Sequence, residues 1–227
     1  MIICRYEDWG TISYDKAHKR QLDVFNHHLQ SKLLGKEVES KLVFCEHFSV
    51  ITLGRNASQE NVLVEAPELE YKGVDLHKTE RGGDVTFHGP GQCVVYPLFD
   101  IDSMGMGIKD YIYALEEAII ITLANVNIIG HRKEGFTGVW LGENENERKI
   151  AAIGVKCSRG ITMHGLALNI NTDLRNFNLI VPCGIGNGKV TSIKNELGIT
   201  QNPNLIFRLI LQAFEQVFPL NLVELPR

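Results

Sequence analysis

Apolar positions along the chain fall into short β-like runs separated by three stretches with helical spacing. Leu22, Phe25, Leu29 and Leu33 step by three or four, which predicts a helix over residues 14–34 ended by Gly35. Residues 41–53 carry Leu42, Val43, Phe44, Val50 and Ile51 and read as β structure, and residues 54–56 turn the chain. A glycine-rich stretch over 81–92 predicts a loop with a short strand, and 93–98 predicts a strand. Ile108, Ile112, Leu115, Ile119 and Leu123 return to helical spacing. Residues 139–141 and 149–155 read as two strands joined by the polar turn 142–148, and 161–170 as a further strand. The last helix has Asn202 as its cap and Pro203 as its first residue. Leu205, Ile206, Leu209, Ile210, Phe214 and Val217 form its apolar face, and Pro219 stops it.

Strands outnumber helices and come in runs, which predicts an α/β (α+β) fold with a mixed sheet rather than a regular βαβ series. The length of 227 residues fits one domain over 1–227 with a core that needs no disulfide or metal support. A net charge of −4 gives no overall field toward nucleic acid or anionic lipid, so neither is expected as a partner. No apolar run is long enough to span a bilayer, and an acidic pair at Glu7 and Asp8 breaks any signal-peptide layout. The expectation is a cytoplasmic protein. Five scattered cysteines, none at CxxC spacing, argue against disulfides and a structural zinc. Cys45 and Cys157 lie in β-like runs and read as packing residues.

Four segments carry candidate chemistry. In residues 81–92, RGGDVTFHGPGQ, four glycines allow close backbone approach to a ligand, and Arg81 and His88 add polar heads. A tight structural turn explains the same residues equally well. In KIAAIG, residues 149–154, Lys149 leads a strand whose Ala152 and Gly154 leave room for an apolar chain. Alone, Lys149 reads more simply as a surface lysine ending a charged turn. His164 heads HGLALN, residues 164–169, and by itself reads as a partly buried sheet histidine. Cys183 sits between Pro182 and Gly184, a flanking pattern that exposes a side chain at a bend, and of the five cysteines it looks most like a nucleophile. An incidental loop cysteine is the alternative.

Residues 184–189 imitate a phosphate loop but fail its rule. Only three residues separate Gly184 from Gly188, and Val190 stands where the magnesium-binding hydroxyl belongs.

Taken together, these segments resemble the lipoyl(octanoyl) transferase family. Its pattern is RGG-x-x-T-x-HGPGQ, K-I-x-x-[IL]-G, HG-x-ALN and P-C-G-[IY]; this chain has all four in order, and TLGR at residues 52–55 resembles an early family turn. The resemblance implies the fold shared with biotin and lipoate protein ligases, a central mixed sheet flanked by helices. It implies Cys183 as the acyl-thioester nucleophile and Lys149 as the lysine that tunes it. It implies substrate binding by Arg81, Gly82, Gly83, Asp84, Val85, Thr86, Phe87 and His88, by Ala152, Ile153 and Gly154, and by Gly165, Leu166 and Ala167. The implied donor is octanoyl-acyl carrier protein. The implied acceptors are lipoyl domains of 2-oxoacid dehydrogenases and the glycine cleavage H protein. No cofactor or metal is implied.

Three rivals follow from the same residues. An ATP-dependent lipoate-protein ligase shares the fold but lacks need of Cys183. A cysteine hydrolase would use His88 or His164 as base. A metal-binding module would draw on His77, His88 and His164 with Cys183, although no ligand pair has short spacing. Arg132, Lys133, Lys156, Arg159, Lys189 and Lys194 lie near the motifs in sequence and form a candidate basic rim for acidic partners, or a scattered solvated surface.

Overall fold

The structure is a computed structural model that describes residues 1–181 and 189–225. Among the described residues, twelve strands and five α-helices follow in order. They are β1 (Ile2–Ile12), α1 (Tyr14–Leu33), β2 (Ser40–His47), β3 (Val50–Leu53), α2 (Ala66–Tyr71), β4 (Asp75–Lys78), β5 (Val85–His88) and β6 (Gln92–Leu98). Then come α3 (Ile108–Ala124), β7 (His131–Lys133), β8 (Phe136–Leu141), β9 (Arg148–Ser158), β10 (Ile161–Asn169), β11 (Lys189–Val190), α4 (Ile193–Leu197), α5 (Pro203–Val217) and β12 (Leu220–Glu224).

The main sheet runs β12-β1-β2-β6-β10-β9-β8-β7, with β11 added beside β9. Its β12, β1 and β2 are parallel, and from β2 through β6, β10, β9, β8 and β7 it is antiparallel. A second sheet of order β4-β3-β5 stands beside it. The mixed sheet expected from the sequence is therefore present.

Alternation along the central strands explains the layers. Leu42 and Phe44 of β2, Val95 of β6, and Leu166 and Leu168 of β10 join Leu115, Ile119, Ile206, Ile210 and Phe214 of α3 and α5 on one face. Val43 and Cys45, Val94 and Tyr96, and Met163 and Ala167 meet Ala17 and Phe25 of α1 on the other. Both faces are covered, so these strands read as nearly continuous apolar runs. A third cluster, with Ile51, Val85, Phe87 and Phe177, fills the space under the small sheet.

The ends of α1 and α5 follow their capping residues. Gly35 takes φ +66° just beyond α1, a left-handed position that suits glycine. At α5 the Asn202 side chain accepts from the Asn204 N–H at 3.0 Å, with Pro203 at the first position. Asn202→Ala is expected to lower stability by about 1 kcal/mol, read by urea denaturation, with transfer activity unchanged.

β1 and β12 lie outside the elements the apolar pattern predicts. β1 mixes Arg5, Glu7 and Asp8 into its length, and among its residues only Cys4 and Ile12 are fully buried. Cys157 is a second correction: it is exposed, not packed. It stands next to the last residue of β9, at the end of the strand.

Candidate active site

The motifs separated in sequence converge on one cavity. Its walls include Arg81, Gly83, Asp84, Thr86 and His88 from the glycine segment, Lys149, Ala152, Ile153 and Gly154 from β9, and Gly165, Leu166 and Ala167 from β10. Antiparallel pairing of β9 with β10 brings the two small-residue motifs side by side, with Gly154 opposite Gly165 and Ala152 opposite Ala167. Tyr14 from α1 and Tyr96 from β6 complete the wall. Val85 and Phe87 do not line it. They alternate to the other face of β5 and pack in the cluster with Phe177. Gly82 also stays out of the lining and serves the wall through its backbone. Cys183, with Pro182 and residues 184–188, lies outside the described residues.

The glycine segment is pinned by Arg81 rather than by its glycines alone. The buried guanidinium donates from Nε to Thr52 Oγ1 at 3.1 Å and from Nη2 to the carbonyls of Thr52 and Asp84, each at 2.7 Å. Gly82 donates to the Val155 carbonyl at 2.9 Å, which docks the loop on β9. The glycines are needed for contact. A Cβ on Gly154 would stand 2.8 Å from the Gly82 carbonyl, and one on Gly54 would stand 2.9 Å from Arg81 Nη1. The missing side chain of Gly154 thus makes space for the loop, and the room for an apolar chain is left chiefly to Ala152 and Ala167.

A line of side-chain hydrogen bonds ties three motifs together. His88 Nδ1 pairs with Gln92 Oε1 at 2.8 Å, and Gln92 Nε2 donates to Asn169 Oδ1 at 2.9 Å. Asn169 Nδ2 donates to the Thr191 carbonyl at 3.0 Å, and Thr191 N–H donates to the Lys149 carbonyl at 2.9 Å. Fully satisfied buried networks of this kind rigidify a site. Burial, reinforced by His47 and Arg81 and opposed by the Gln92 hydrogen bond, pushes His88 down to about 3, so its imidazole is neutral at physiological pH. The hydrogen bond to Gln92 fixes the orientation of the ring.

Lys149 is buried in the cavity wall near the start of β9. Its Nζ donates to the Thr137 carbonyl at 3.0 Å and lies 4.7 Å from the centroid of the Trp140 ring. Gly138 makes this fit: a Cβ there would stand 3.3 Å from Lys149 Cε and 2.6 Å from the Ala151 carbonyl. Trp140 was not among the residues singled out by motif. An aromatic one strand over from a motif lysine is the signal that points to it.

Several other histidines gather around Tyr14, whose ring lies 5.4 Å from that of His77 and 6.3 Å from that of His88. His77 Nδ1 lies 3.1 Å from Asp15 Oδ1. His164 is buried and takes φ +59°, and its backbone N–H donates to Gln21 Oε1 at 2.9 Å. The proposed basic rim is partly spent within the chain. Arg132 pairs with Glu116 and Glu117, and Lys133 with Glu147.

The fold defined by this sheet and cavity is that of the lipoate and biotin protein ligases. A bipartite lipoate protein ligase from Thermoplasma acidophilum superposes with a TM-score of 0.76 at 15% identity, covering 99% of this chain and 87% of that one. A lipoate-protein ligase A bound with ATP gives 0.72 at 13% identity, over 98% and 87%. The family model of the lipoyl protein ligase A/B catalytic domain matches residues 23–215, and the chain belongs to that family. A relative from Parabacteroides distasonis, named octanoyltransferase, is 45% identical over 94% of this chain and 98% of its own length. A Bacteroides fragilis protein of the same name is 46% identical over 84% and 87%.

Proposed function

We propose that this protein is an octanoyltransferase that moves an octanoyl group from octanoyl-acyl carrier protein, through a thioester on Cys183, to the lysine of a lipoyl domain. Support comes from the relatives of that name, 41–46% identical over most of the chain. The geometric observation that carries the reading is Lys149: an amine buried in the wall of a cavity built from Ala152, Ala167 and Gly165. The acceptors are lipoyl domains of 2-oxoacid dehydrogenases and the glycine cleavage H protein.

The steps balance without an external energy source. Lys149 takes the Cys183 thiol proton, and the thiolate attacks the donor carbonyl. The bond from the carbonyl carbon to the carrier sulfur breaks, and Lys149 returns the proton to that sulfur. The acceptor amine then attacks the octanoyl-cysteine carbonyl. A carbon–nitrogen bond forms, the carbon–sulfur bond breaks, and the proton lost by the amine passes through Lys149 to the departing Cys183 sulfur. Backbone N–H groups of the glycine segment receive the oxyanion in both halves. The net change is thioester plus amine to thiol plus amide, which is downhill.

ATP dependence separates this reading from the ligase one. Purified protein, octanoyl-carrier protein and a lipoyl domain are expected to give octanoylated lipoyl domain at the same rate with or without ATP and magnesium. Transfer only from free octanoate with ATP would overturn the reading in favour of a ligase. Release of free octanoate at the rate of acylation, whether or not the lipoyl domain is present, would favour a hydrolase.

Chain-length selection follows from the wall. Each buried methylene contributes about 0.8 kcal/mol, so an added side chain that closes the cavity removes several methylenes' worth of binding. Ala152→Phe is expected to shift the preferred donor from octanoyl toward shorter acyl groups, with hexanoyl to octanoyl kcat/KM ratios as the readout. An unchanged ratio would remove Ala152 from the acyl site.

A further inference from the structure

We propose that His18, Glu80 and His164 form a binding site for a divalent first-row transition ion of the zinc class at the solvent edge of the cavity. The three residues come from α1, the segment before Arg81, and β10, and the sequence separates them widely, so no spacing rule reveals them. Their ligand atoms all lie within 4.8 Å of one another. His18 Nε2 is 3.2 Å from Glu80 Oε2, and His164 Nε2 is 3.9 Å from the same oxygen. With metal–ligand bonds of about 2.0–2.1 Å, tetrahedral zinc ligands sit roughly 3.3 Å apart, so small side-chain rotations close the set.

The chemistry of the set favours this ion class. Two imidazoles and one carboxylate suit zinc and its neighbours, whereas magnesium and calcium prefer oxygen alone. His18 and His164 rings stack at 5.6 Å with 19° between planes, and the ring of Tyr14 stacks 5.8 Å from that of His18, so the imidazoles are already ordered. The backbone of His164 is held at φ +59°, which turns its side chain toward Glu80 and Thr79 instead of along the regular strand face. Two imidazole nitrogens and a carboxylate oxygen converge on one point, within reach of a single ion. A shared proton serves one pair of them, and a divalent ion serves all three. Thr79 Oγ1, 3.3 Å from His164 Nε2, stands ready beside the same point.

Cobalt(II) titration of the full chain tests the site. The expected result is one saturable ion per chain with visible d–d bands of a four- or five-coordinate centre, no sulfur-to-cobalt charge transfer, and displacement by zinc. His18→Ala and Glu80→Gln should each weaken binding roughly tenfold or more, since even outer partners of metal ligands cost that much. Their side chains are 20% and 45% exposed, so circular dichroism should be unchanged. Absence of a saturable d–d band overturns the proposal. So does wild-type affinity in both variants, or a spectrum dominated by thiolate charge transfer that survives in them.

Discussion

Lys149→Met is expected to lower kcat/KM for octanoyl transfer by about 10²–10⁴-fold while leaving the protein folded. Methionine keeps the stem volume against Trp140 and Gly138 but carries no exchangeable proton. The Thr137 carbonyl loses the donor now 3.0 Å away, which costs about 1 kcal/mol of stability. Lys149→Arg should not rescue the rate. Its planar head needs space where Gly138 and the Trp140 face close in, and arginine does not give up its proton. Steady-state rates with octanoyl-carrier protein, set against urea midpoints, separate the chemical loss from the structural one. A Lys149→Met rate within a few-fold of wild type would remove the lysine from the proton path.

Cys183→Ala is the second large effect. Loss of the nucleophile should cost roughly 10³-fold or more in steady-state transfer, because direct attack of the acceptor amine on the carrier thioester then has only binding and backbone oxyanion donors to help it. Cys183→Ser should leave a small residual rate through a poorer nucleophile. Combining Cys183→Ala with Lys149→Met should cost little beyond either alone, since both act in the same proton and acyl transfers. Near-additive losses would mean that the two residues work in separate steps.

The helices and central strands were legible because burial on both faces leaves a plain apolar record. The 202–203 cap and the turn at residues 142–148 were legible from local backbone chemistry. β1 and β12 were not, because their pairing is non-local and Arg5, Glu7 and Asp8 interrupt the alternation. β4 and β7, DLHK and HRK, are edge strands whose residues look like loops.

At the site, the motif strings located Lys149, Ala152 and Ala167, and sheet pairing supplied the proximity that spacing could not. The same strings overcounted: period-two alternation sends Val85 and Phe87 away from the cavity. They also hid the roles of Gln92 and Asn169, whose value lies in a bond to each other across β6 and β10. Tyr14, His18 and Trp140 reach the site from outside every motif, and only the fold brings them there.

The most direct measurement is the intact mass of the protein after mixing with octanoyl-carrier protein in the absence of acceptor. A gain of one octanoyl group, mapped to Cys183 by peptide mass and discharged when a lipoyl domain is added, is the predicted result. An unmodified mass under conditions where a lipoyl domain is nevertheless octanoylated would contradict the covalent route.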